Sequence, residues 1–184
     1  MRKKFLAVVA ILLFACNVRV CAAAPLINHN VEEVIQVINY LSRELNISIW
    51  GKEYYTYQGL RRCELHWGNS SNNLIRFRLD GNNNVQRALV SFNSKANVIE
   101  SALMYSSILM MAGTTEADIE NFSDQFMQDV MNVFKEKMSQ NSAAGAGDSF
   151  FHQAYKIWSS EASRNIIVDI EMNRGIMDIY MYAE

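Results

Sequence analysis

Five segments of this chain alternate apolar and polar residues with a period of two, and that alternation restricts its fold more than any other feature. Successive side chains on a strand point to opposite sides, so each segment acquires one face for burial and one face left open. The apolar sets are Cys63, Leu65 and Trp67; Ile75, Phe77 and Leu79; Ala88, Val90 and Phe92; Ile166, Val168, Ile170 and Met172; and Met177, Ile179 and Met181. Strands that are apolar on one side only belong in an antiparallel sheet covered on one face. Residues 54–57 read as a further strand, and the Gly- and Asn-rich runs 68–73 and 80–84 read as loops of a meander. Asn173-Arg174-Gly175 reads as a three-residue hairpin loop that joins the last two strands.

The cover comes from segments with a helical period. In 31–45, Val34, Ile35, Ile38, Leu41 and Leu45 form one stripe, Asn30 is placed to cap the helix with Glu33 as its capping-box partner, and Asn46 and Gly51 are placed to end it. The stretch 97–138 is longer. Val98, Ile99, Ala102, Leu103, Leu109 and Met110 recur at three- and four-residue spacings, Gly113 can close that helix, and Thr115 with Asp118 can open another. The second carries Ile119, Phe122, Phe126, Val130 and Val133 on one side, the ordinary pattern of a helix that buries itself. The expected fold is therefore α+β, a single antiparallel sheet of about five to seven strands with three helices on one face, in two layers. The tract 139–149, SQNSAAGAGDS, reads as a flexible connector within that one domain.

The first residues predict export. Arg2, Lys3 and Lys4 precede an apolar run over 5–15, and Ala22, Ala23 and Ala24 supply small residues at a cleavage site, the order of a bacterial secretory signal peptide. The expected division is a signal peptide over 1–23 and one α+β domain over 24–184. That makes the protein secreted or periplasmic, with no transmembrane span in the mature chain, since spanning a bilayer takes about 20 apolar residues. An alternative uses Leu13-Phe14-Ala15-Cys16 as a lipobox, which would anchor a lipoprotein through Cys16. With ordinary cleavage Cys16 and Cys21 depart, and Cys63 alone cannot form an internal disulfide. Arg2, Lys3, Lys4 and Arg19 leave too, taking the formal net charge from −2 to −6. Such a balance argues against a nucleic-acid partner, because binding phosphates requires a basic surface.

No catalytic, nucleotide or metal motif is present, and no cofactor is implied. His29, His66 and His152 lack the spacing of a metal site, and no Gly-x-Ser-x-Gly elbow or phosphate loop occurs. Glu64 and His66, two apart on one strand, are the one acid and base pair forced onto a common face, and they are the candidate pair for a small envelope hydrolase. The more informative feature is the open face as a whole. It should present Arg62, Glu64, His66, Arg76, Arg78, Arg87 and Ser91 from the first meander, and Asp169, Glu171, Asp178, Tyr180 and Tyr182 from the C-terminal hairpin.

Two outcomes are open for that face, and they make opposite demands. In ordinary cross-strand pairing each arginine lies against a carboxylate of the hairpin. In a binding site Arg62, Arg76, Arg78 and Arg87, with Tyr180 and Tyr182, form a concavity for an anionic or peptide ligand, and at least two arginines stay unneutralised. The functional expectation is a non-catalytic binding or interaction module of the cell envelope, with a protein or peptide partner on the open face. Strand order decides between the two outcomes, and periodicity does not supply it.

Overall fold

A computed structural model of the protein describes residues 26–93, 108, 111, 125, 128, 151–159, 163–173 and 176–184. Helix α1 (Val31–Glu44) leads into β1 (Ile49–Tyr57), β2 (Leu60–Trp67), β3 (Leu74–Leu79) and β4 (Val85–Asn93), followed by β5 (Phe151–Ser159), β6 (Arg164–Asn173) and β7 (Ile176–Ala183). The strands form one open seven-stranded sheet in the order β1-β2-β3-β4-β7-β6-β5. Every neighbouring pair is antiparallel. Two meanders thus meet where β4 pairs with β7, and the C-terminal hairpin lies directly beside the arginine-bearing strands.

The alternation sorts the faces as the sequence predicts. Cys63, Leu65, Trp67, Ile75, Phe77, Ala88, Val90, Ile166, Val168, Ile170, Ile179 and Met181 are all buried. They join one core with Val31, Val34, Ile35, Ile38 and Leu41 of α1. Apolar area removed from water at about 25 cal/mol per Å² is the main favourable term available to a chain of this kind.

Helix α1 starts where Asn30 Oδ1 accepts the Glu32 backbone N–H at 3.0 Å, which satisfies one of the free donors of the first turn. Its N-terminus is tied to the sheet by a bridge between Asn30 and Asn84 and by Val31 N–H donating to the Asn83 carbonyl at 3.0 Å. Glu32 also accepts from Lys52 Nζ at 2.8 Å and from the Tyr54 hydroxyl at 2.6 Å, linking the first turn to β1. These two donors hold the Glu32 carboxyl below its usual range.

Several expectations change in detail. Strand β1 begins at Ile49, well before residue 54, and continues through a bulge between Trp50 and Glu53. Gly51 therefore does not end the helix; it sits in that bulge at φ +69°, a left-handed conformation that favours glycine. The last hairpin is tighter than three residues, because Asn173 pairs with Ile176 and only 174 and 175 lie between them. Of the three expected helices, α1 is described in full. The other two fall on 97–138, which lies outside the described residues except for Ile108, Met111, Gln125 and Gln128; all four are helical, and Ile108 and Met111 belong to the core. The expected leader over 1–23 and connector over 139–149 also lie outside the described residues. No helix among the described residues is long and apolar enough to cross a membrane.

Candidate functional site

Cross-strand register turns the open face into rows. Arg62 on β2 is directly opposite Arg78 on β3, Arg78 is opposite Arg87 on β4, and Arg87 is opposite Tyr182 on β7. In the next row Glu64 faces Arg76, Arg76 faces Leu89, Leu89 faces Tyr180, and Tyr180 faces Asp169. In the third, His66 faces Leu74, Leu74 faces Ser91, Ser91 faces Asp178, and Asp178 faces Glu171. Residues two apart on a strand share a face, so the three rows lie side by side on one surface. Arg62, Arg78 and Arg87 share a row that holds no acidic residue, the middle row holds both signs, and Asp178 and Glu171 lie in the third.

That offset determines what is neutralised. Arg76 Nε donates to Glu64 Oε2 at 2.7 Å, and the Tyr55 hydroxyl donates to the same oxygen at 3.1 Å. Burial pulls the Arg76 pKa down, but the hydrogen bond and charge of Glu64 outweigh it and the guanidinium is held above its ordinary value. Arg62, Arg78 and Arg87 have no carboxylate within ion-pair distance among the described residues. On the acidic side, His152 Nε2 lies 2.8 Å from Asp169 Oδ1 and 3.9 Å from Glu171 Oε1. The hairpin carboxylates thus do not serve the arginine row, and simple ion pairing accounts for Arg76 alone.

Aromatic rings hold two of the three remaining guanidinium groups in place. Arg62 lies over the Tyr57 ring at 4.8 Å from its centroid, and Arg87 lies over both Tyr180 at 4.4 Å and Tyr182 at 4.9 Å. Each such contact contributes about 0.5–1 kcal/mol when exposed, without neutralising the cation. Burial, with Asp178 and Glu171 nearby, raises the Tyr180 hydroxyl above the normal tyrosine value, so the ring over Arg87 stays neutral at physiological pH. Arg62, Arg76, Arg78 and Arg87 line a concavity of about 300 Å³ together with Leu60, Leu89 and Tyr180. Arg87 Nε is buried there without a hydrogen-bond partner among the described residues.

The expected binding residues therefore meet, with two differences of role. Tyr182 braces Arg87 and does not line the concavity, and Arg76 is already engaged. Sequence reasoning did not find Tyr57, Leu60 and Leu89. The missing signal is in the turn: Gln58 and Gly59, at φ 53° and 75°, join Tyr57 directly to Leu60, which places both beside the arginine row. Leu89 is apolar on a polar face and buried between Arg76 and Tyr180 in the middle row, an exception to strict alternation.

Glu64 and His66 do lie together, with His66 Nε2 at 3.5 Å from Glu64 Oε1. The Trp50 ring stacks on the imidazole at 4.7 Å, and the Trp50 indole N–H donates to the Gly68 carbonyl at 2.9 Å. The pair is clamped between Arg76 on one side and the β1 bulge on the other. Cys63 is fully buried, and desolvation pushes its thiol pKa up, the opposite of what a nucleophile requires. Among the described residues no group of three His, Cys, Asp or Glu side chains has the geometry to hold a metal ion. Comparison of the chain with protein families and with curated proteins yields no match.

Proposed function

We propose that this protein is an exported, non-catalytic binding module that captures an anionic ligand, or an acidic segment of an envelope partner, on the open face of its sheet. The observation that carries this reading is the row Arg62, Arg78 and Arg87: three cations in direct cross-strand register without a carboxylate among the described residues. Like charges placed opposite one another destabilise a sheet by roughly 0.2–1 kcal/mol per pair. A row that is costly to the free protein and braced by tyrosines gains its compensation when an anion binds. Leu60, Leu89 and Tyr180 in the same concavity add apolar contact. The signal peptide over 1–23, or a lipid on Cys16 in its place, supplies the address.

Calorimetric titration of the purified protein with a short Glu-rich peptide and with inorganic phosphate tests this. The expected result is binding that weakens as salt is raised and that falls away in an Arg62→Ala, Arg78→Ala double variant with an unchanged circular dichroism spectrum. Binding of neither probe, or equal binding by that variant, would refute it. A hydrolytic activity lost in His66→Ala would replace it with the enzyme reading built on Glu64 and His66.

A further inference from the structure

The charge and donor count of the concavity narrow the chemistry of its ligand. We infer that the site formed by Arg62, Arg78 and Arg87 takes a phosphomonoester, a dianionic phosphoryl group attached to an apolar or aromatic body. The inference rests on the anion-binding reading and specifies the anion.

Arg62, Arg78 and Arg87 line one space of about 300 Å³, and Glu64 neutralises only their neighbour Arg76. A carboxylate brings one charge and two oxygens, which a single arginine fork can satisfy. It leaves two cations without a counter-charge. A phosphodiester likewise carries one charge. A phosphomonoester carries a charge of about −1.5 to −2 at neutral pH and three strong acceptor oxygens, one for each of three converging forks. The placement of the cations points the same way. Arg87 lies over the rings of Tyr180 and Tyr182 and Arg62 over Tyr57, contacts that fix where these two cations sit beside the concavity. Arginines supplied by three adjacent strands to one concavity suit a multiply charged group with three acceptor oxygens better than a planar carboxylate with two.

Arg87 Nε adds an independent observation. It is a buried donor without an acceptor among the described residues, and a buried donor left unmatched is unfavourable by about 1–3 kcal/mol. The atom is closed to solvent as the side chain stands, so a phosphoryl oxygen in the concavity accepts from it only once the Arg87 side chain shifts toward the ligand. The body attached to phosphorus then meets Leu60, Leu89 and the Tyr180 ring, which together form an apolar wall beside the cations. Such a group occurs on soluble metabolites and on lipid headgroups alike, and the chemistry is the same for both.

The probes are phenyl phosphate, inorganic phosphate, diphenyl phosphate and benzoate, titrated into the purified protein, with vesicles of phosphatidylcholine containing phosphatidic acid as a separate arm. Phenyl phosphate should bind at least about tenfold more tightly than benzoate or diphenyl phosphate, one added charge-assisted contact being sufficient for that factor. It should also exceed inorganic phosphate, which lacks the apolar body. Arg78→Ala should abolish the preference, and Arg78→Lys, which keeps the charge without the fork, should restore only part of it. Retention on phosphatidic acid vesicles but not on phosphatidylcholine alone assigns the lipid source; retention on neither assigns a soluble one. Equal affinity for benzoate and phenyl phosphate would overturn the inference. If the Glu-rich peptide binds through Arg78 and phenyl phosphate does not, the phosphoryl assignment fails and the anion site stands; if no anion binds, both fail.

Discussion

Arg78 has the most telling position in the chain, because both of its cross-strand neighbours on the open face are arginines. Its replacement should act with opposite sign on stability and on binding. Arg78→Thr removes both like-charge contacts and inserts a β-branched residue suited to a strand, so the unliganded protein should gain roughly 0.5 kcal/mol. At this chain length that corresponds to a rise of about 1–2 °C in melting temperature. Scanning calorimetry would register the rise while titration shows anion binding lost; a fall in melting temperature would mean that Arg78 has a stabilising partner. Gly51 makes a second demand at this scale. A Cβ there would come within 2.9 Å of His66 Cδ2, and the backbone at φ +69° is strained for any other residue. Gly51→Ala should therefore cost on the order of 1–3 kcal/mol, visible as a lowered urea midpoint with an unchanged slope.

The faces of the strands were legible in the sequence, and their neighbours were not. Alternation at Cys63, Leu65 and Trp67, and at Ile166, Val168 and Ile170, assigned faces correctly because burial enforces a strict period. The pairing of β4 with β7 was not legible, since both partners are apolar on one side and nothing local distinguishes this neighbour from another. The same gap left the fate of the arginines open: only register shows that Asp169, Glu171 and Asp178 fall in different rows from Arg62, Arg78 and Arg87. Strand β1 was underestimated because its bulge at Gly51 interrupts the alternation that would have revealed it.

The β3–β4 loop holds its shape through Asp80, whose Oδ1 accepts from the backbone N–H groups of Asn82 and Asn84 at 2.8 Å each. The Asn84 and Asn82 backbone donors hold the Asp80 pKa below its ordinary value. A carboxyl with a lowered folded-state pKa contributes stability that is present above the unfolded value and is lost as pH falls through the folded one. Asp80→Asn keeps an acceptor but cannot titrate. Its melting temperature should fall less steeply than that of the wild type below about pH 4. Parallel acid profiles for the two proteins would show that the loop does not depend on this charge.

At the scale of the molecule, the described residues make a sheet with helix α1 and the core on one face, and charge, tyrosine and a small concavity on the other. The proposed capture of an anion draws on this arrangement, in which Glu64 is held by Arg76 and Tyr55 while Arg62, Arg78 and Arg87 have no carboxylate partner among the described residues. The proposed address has its own check. Mass spectrometry of protein recovered from the producing cell should give a mature chain beginning at Ala23 or Ala24, whereas a diacylated Cys16 would establish the lipid anchor instead. The central claim is that Arg62, Arg78 and Arg87 form one anion site, and the arginine Nε–Hε signals in a nuclear magnetic resonance titration with inorganic phosphate test it most directly. The account predicts that these three signals move together and saturate, with Arg76 moving least because its Nε already donates to Glu64. Uniform small shifts shared equally with Arg43 and Arg61, or no shifts at all, would contradict it.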